Sequence, residues 1–132
     1  MEQNTQLRET VAAALESALP PGVVDHVFND WLLLDADEDT PAILVYLDDG
    51  DINTEYMDGP ELYDGALMVS IYVGRGREDK DLDVIGEAVK VALPIGVIFP
   101  GVATLSRTAF HYERSESGAY RALHLTHTYK RD

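Results

Sequence analysis

Residues 40–47 read TPAILVYL, and the fold turns on whether the apolar run after Pro41 belongs to a helix or to a strand. The run is continuous, partly β-branched and too short for a helix, which suits a central strand covered on both faces. Ile43, Leu44, Val45 and Tyr46 are its expected centre. Outward from it toward the C-terminus, GALMVSIYV at 65–73 alternates Leu67, Val69, Ile71 and Val73 with Met68, Ser70 and Tyr72. That is the period of a half-buried strand. Between the two runs lies LDDGDINTEYMDGPELYDG (47–65), where Asp48, Asp49, Asp51, Glu55, Asp58, Glu61 and Asp64 crowd together. Its polarity reads as an exposed, solvated, charged loop.

On the N-terminal side, Leu7, Val11, Ala14, Leu15, Ala18 and Leu19 recur at the three-and-four spacing of one buried helix face, and Pro20-Pro21-Gly22 stops it. The spacing predicts a helix over about 5–19, capped by Asn4 or Thr5. Val23, Val24, Val27 and Phe28 suggest a short extended segment before Trp31–Leu34 and the acidic DADED. A second stripe, Leu82, Ile85, Val89, Ala92 and Leu93, predicts a helix over about 81–93, capped by Asp79 or Asp81 and ended by Pro94. Gly86 inside it costs about 1 kcal/mol relative to alanine, so a close neighbour is expected there. The stretch LSRTAFHYERSESGAYRALHLTHTY reads as two strands joined at SESG, with Gly118 free to take a positive φ. The order matches an α+β fold: a mixed or antiparallel sheet, two main helices packed on one face and a C-terminal β-hairpin, in one domain over 1–132.

Apolar residues at 45% and charged residues at 26% of 132 suffice for a core without a metal or disulfide staple. The absence of cysteine removes thiolate catalysis and zinc–thiolate sites and fits a reducing compartment. No basic start followed by an apolar stretch marks an export signal, and no run reaches the ~18 apolar residues of a membrane helix. With 10 Lys and Arg against 24 Asp and Glu, the formal charge is −14, which disfavours nucleic acid and anionic lipid as partners. A protein or cation partner fits better.

The acids do not follow the spacing of a calcium loop, which needs Gly at its sixth position and Glu at its twelfth. From Asp35 those positions are Thr40 and Tyr46, and from Asp49 they are Thr54 and Pro60. Paired carboxylates for acid/base work must converge in a cleft with separated pKa values, which a linear acidic loop does not supply. His124 and His127 lie three apart on an expected strand, so alternation sends them to opposite faces and away from a common ion. All four histidines read as surface or partly buried. Neither a G-x-S-x-G elbow nor a P-loop occurs. Arg75 and Arg77 stand between a strand end and a helix start, placed to reach carboxylates of a neighbouring subunit or to pair internally. Seven tyrosines against three phenylalanines suit an interface that is wet at one edge, or half-buried strands.

LRETVAAALESAL as the opening helix, TPAILVYL as the central strand with a long acidic connection after it, and the closing FHYERSESGAYRALHLTHTY hairpin together resemble the lambda-type phage minor tail protein U family, the tail terminators. The resemblance covers nearly the whole chain. It implies a small α+β subunit without catalysis or cofactor that forms a hexameric ring on the end of the tail tube. Such a ring stops polymerisation of the tube protein and presents a surface to the head-completion protein, with assembly in the host cytoplasm or, in a functional phage, residence in the virion tail. Candidate interface residues are Arg75, Arg77, Asp48, Asp49, Asp51, Glu55 and Tyr56; no catalytic or metal residue is assigned. Two other classes compete: an acidic DNA-mimic inhibitor, whose acids must track one face like a phosphate row, and a metal-dependent hydrolase, which the ligand spacing disfavours.

Overall fold

The structure, a computed structural model, describes residues 1–53 and 62–131. It is α+β, with two helices and a six-stranded mixed sheet in the order β1-β2-β3-β6-β5-β4. In the chain, α1 (Glu2–Ala18) precedes β1 (His26–Phe28), β2 (Ala42–Asn53) and β3 (Leu62–Gly74). Then come α2 (Asp79–Ala92), β4 (Val97–Phe99), β5 (Ala103–Arg114) and β6 (Tyr120–Arg131). The β1–β2 pair is parallel and every other pair is antiparallel.

The TPAILVYL run is the central part of β2, and Ala42, Ile43, Leu44 and Val45 are all fully buried. Ile43 and Val45 join a core with Leu67, Val69, Ile71 and Val73 of β3 and Leu123, Leu125 and Tyr129 of β6. Leu7, Val11 and Leu15 of α1 and Leu82, Ile85 and Val89 of α2 enter the same core; α2 buries its expected stripe, Ala92 partly, whereas in α1 Ala12 is buried and Ala18, expected in the stripe, is exposed. Gly86 is placed by close packing: a Cβ there would lie 3.1 Å from Leu123 Cδ2. The β5–β6 hairpin closes at 115–119, with Gly118 at φ 74° as a left-handed turn residue.

Three local expectations give way. Helix α1 starts at Met1 as N-cap, ahead of Asn4 and Thr5, and no side chain caps it. Helix α2 takes Glu78 as its N-cap, and Asp81 acts from the third helical position, its carboxylate accepting the Glu78 backbone N–H at 2.8 Å. The acidic stretch is not a loop as far as it is described, because β2 runs on through Asp48, Asp49 and Asp51 to Asn53, paired with β3 back to Leu62. Two facing glycines permit this pairing. A Cβ at Gly65 would stand 2.3 Å from the Asp49 carbonyl oxygen, and one at Gly50 would stand 2.6 Å from that of Asp64. A bulge between Leu47 and Asp49 resets the alternation just before the acids.

The long strands are only partly flanked. Strand β1 pairs with residues 42–44 of β2 alone, and β4 pairs with 103–105 of β5 alone. Among the described residues, no backbone group pairs with the outer edge of β2 over 45–53 or of β5 over 106–114.

Candidate functional site

The candidate residues divide between the two ends of the sheet. Asp48, Asp49 and Asp51 are exposed near the end of β2 that pairs with Asp64–Ala66. They border a cavity of about 310 Å³ whose other walls include Met1, Asn4, Arg8, Tyr63 and Tyr129. Burial, then Asp64 and Asp49, push the Tyr129 hydroxyl above its usual range, so the ring carries its proton among these acids. Glu55 and Tyr56 lie outside the described residues.

Arg75 and Arg77 follow Gly74, the last residue of β3. Ala66, level with Asp49, stands eight residues earlier on that strand, which is roughly 26 Å at ~3.3 Å per residue. The arginines and the acids therefore do not meet within one subunit. Arg77 approaches Asp81 at 3.9 Å, an exposed pair across one helical turn. Arg75 is exposed and forms no ion pair among the described residues. Close by, Asp79 binds Arg114 at 2.5 Å and Arg121 at 2.8 Å, tying the start of α2 to the hairpin. Hydrogen bonds from Arg114 and then Arg121 hold its carboxyl below the usual range.

Sequence reasoning missed a polar chain on the sheet face opposite the core. Ser70 Oγ lies 2.7 Å from His124 Nδ1, and His124 Nε2 lies 2.8 Å from Glu113 Oε1. Tyr120 donates to Glu113 Oε2 at 2.6 Å, and Tyr46 Oη sits 3.2 Å from Ser70 Oγ. A carboxylate can only accept, so Nε2 donates to it; the neutral ring then accepts at Nδ1 from Ser70, whose oxygen accepts from Tyr46. The hydrogen bonds from Tyr120 and then His124 depress the Glu113 carboxyl. Tyr72 packs edge-on to His124, and its hydroxyl is pushed up to about 12, first by burial and then by Tyr46, Glu113 and Tyr120. The strand alternation put Ser70 and Tyr72 on one face, but the rest of the chain of contacts comes from other strands: His124 lies 54 residues beyond Ser70, and Glu113 lies 11 residues before His124.

Serine, histidine and carboxylate at these spacings match the order of an acyl-transfer triad. The setting does not match. Ser70 is fully buried in mid-strand, and β3 pairs with β2 on one side and β6 on the other, which takes up the backbone N–H groups an oxyanion hole would need. The chain closes one wall of a cavity of about 350 Å³, across from Trp31, Leu32, Leu33 and Leu34. It is a satisfied, part-buried network facing the 31–40 segment, buried at Ser70 and open to the cavity at Glu113. No three His, Asp or Glu side chains converge as metal ligands would among the described residues.

His127 corrects the reading of all four histidines as surface or partly buried. It is 1% exposed, on the core side of β6, with neither ring nitrogen in a hydrogen bond of normal geometry. The register sets it opposite Arg107 and Leu67 and puts His124 on the other face, as alternation requires.

The described residues thus form a small α+β fold with charged groups at both sheet ends, bare strand edges and a polar triad whose serine is fully buried. The family model for phage minor tail protein U matches residues 2–130, and the chain belongs to that family. It is thus a phage tail structural protein by family. Among solved structures, a chain from the virion of a native gene transfer agent particle is similar, at 16% identity and a TM-score of 0.53. That match covers 92% of this chain and 84% of the other, and at this identity it speaks for the fold. No curated protein matches the sequence. No described helix is long and apolar enough to cross a membrane.

Proposed function

We propose that the chain is a phage or prophage tail terminator: a single-domain, non-enzymatic subunit of a hexameric ring. The ring seats on the end of the tail tube, stops polymerisation of the tube protein and offers a surface to the head-completion protein. Family membership over nearly the whole chain carries this reading, and the virion origin of the similar structure supports it. The layout of charge suits the role. A terminator needs two different faces, and here Asp48, Asp49 and Asp51 mark one end of the sheet while Arg75 and Arg77 mark the other. In a ring whose axis runs along the strands, these become the two rims. Both helices are taken to cover one sheet face, which their shared core favours. Arg75, which forms no ion pair among the described residues, is the better candidate of the two arginines for an acid on a neighbouring copy. Assembly takes place in the host cytoplasm, with neither nucleic acid nor membrane as partner.

The deciding experiment is tube assembly with and without the purified protein, each species sized by sedimentation and microscopy. Tubes of limited length, capped at one end, are expected in its presence. Tubes that grow unchanged while the protein stays unbound would remove the terminator reading.

A further inference from the structure

We infer that copies of the chain join edge to edge, residues 106–114 of β5 in one subunit pairing antiparallel with residues 45–53 of β2 in the next, so that the sheet runs on between subunits. This rests on the ring reading and specifies how such a ring is held.

Among the described residues, both strands leave about nine residues of backbone unpaired on their outer edges, roughly 30 Å at ~3.3 Å per residue. A long bare edge is a template for another strand, and proteins that stay monomeric blunt such edges. Here β1 and β4 cover only three residues each and leave the rest bare. The two edges lie on opposite sides of one sheet, so they can be used together only in a head-to-tail arrangement, which gives a ring when the rotation between copies closes. Direction also fits. From β2 through β3 and β6 to β5 each neighbour is antiparallel, so β5 runs opposite to β2. Rotation about an axis along the strands leaves the next copy's β2 parallel to the first copy's β2, and therefore antiparallel to the β5 beside it.

The exposed side chains of the two edges match in part. The free stretch of β2 carries Asp48, Asp49 and Asp51 and no cation; on β5 His111 shares the face of Asp49 and Asp51, whereas Arg107 and Arg114 lie on the core face, Arg114 bound to Asp79, and the single acid Glu113 is bonded to His124 and Tyr120. Phe110 is 70% exposed and Ile52 54% exposed. Their partners in the register, Leu125 and Tyr63, both belong to the core, so the two apolar side chains project from the same face of the joined sheet. The free stretches are not level: Ser106 lies across from Asp49, through Thr128 and Ala66, four residues short of Asn53. Closing a sheet on itself demands a stagger of this kind, because the strands must tilt against the axis.

The chain has no cysteine, which makes disulfide trapping clean. Ala109→Cys or His111→Cys on β5 would be combined in turn with Asp49→Cys or Asp51→Cys on β2, all exposed positions on the face away from the core. Under mild oxidation at least one combination should give a ladder of covalent multimers ending at the closed ring, while each single-cysteine variant stays unlinked. Hydrogen exchange on the unmodified protein should slow at 45–53 and 106–114 when the ring forms. A ring of full mass with no trapped pair and no slowing at these edges overturns the edge pairing alone. Linkage of a single-cysteine variant to itself indicates a two-fold contact and also overturns it. A strict monomer in every condition removes the ring reading and the interface with it.

Discussion

His127 is a residue whose burial has a measurable sign. Desolvation first, and the charge of Arg107 second, bring its pKa from 6.5 down to about 4, against a smaller upward pull from the Leu125 backbone. The folded state then binds this proton less readily than the unfolded one. Its contribution is fully present above pH 6.5, is lost as pH falls toward 4 and is constant below that. The shift corresponds to about 3 kcal/mol across the window. His127→Leu should flatten the stability–pH curve between pH 4 and 6.5 and be neutral or stabilising at pH 7, since it removes a buried ring with no hydrogen bond of normal geometry among the described residues; urea melts at a series of pH values read both effects. Ser70→Ala acts in the opposite sense. It leaves His124 Nδ1 without its donor beneath the 31–40 segment, and a loss of about 1–3 kcal/mol is expected at pH 7 by the same melts.

At the scale of elements, the acidic end of the β2–β3 pair depends on backbone approach rather than on side-chain packing. A Cβ at Gly65 would stand 2.4 Å from Gly50 Cα as well as 2.3 Å from the Asp49 carbonyl, and neither atom can swing aside. Gly65→Ala should therefore cost about 1–3 kcal/mol and speed hydrogen exchange at 49–52 ahead of the rest of the sheet. These glycines also explain how the sequence misleads. Polar composition marked Asp48–Asp51 as loop, yet a strand needs only a partner at the right distance, and Gly50 and Gly65 supply it from opposite sides of the connection. What was legible was periodic: the helix stripes, the alternation of β3 and the apolar run of β2 all report local geometry that side-chain burial enforces. The Ser70–His124–Glu113 chain was not legible, because it depends on which strands become neighbours, and β3 pairs with β6 across the whole of α2, β4 and β5. Likewise Arg75 and Arg77 were legible as rare cations, but their distance from Asp48, Asp49 and Asp51 is a property of strand length and register. The bare outer edges of β2 and β5 escape the sequence for the same reason, since a strand's partners are not written in its own residues.

At the scale of the whole molecule, charge decides when assembly occurs. Six copies of a chain with a formal charge of −14 would carry −84, and self-repulsion on that scale opposes closure at low ionic strength. In the edge-paired ring proposed above, the acids on the free edge of β2 would sit where the next copy approaches, and on their face β5 offers His111 alone as a basic side chain. Screening acts over about 10 Å at 0.1 M salt, comparable with the separation of exposed side chains on adjacent copies. Moderate salt or magnesium should therefore shift the free protein from monomer toward ring, a change that sedimentation across a salt series reads directly. Arg75→Glu with Arg77→Glu adds negative charge at one rim without touching the core, so it should raise the salt needed for ring formation and leave the monomer's melting curve nearly unchanged. An unaltered salt midpoint in that double variant would take the arginine rim out of the subunit contact. If the midpoint lies above the ionic strength of the cell, free rings are scarce there, and the end of a tube must supply the remaining stabilisation. Termination is then tied to a completed tube end, because free tube subunits offer no ring of sites on which six acidic copies can be held together.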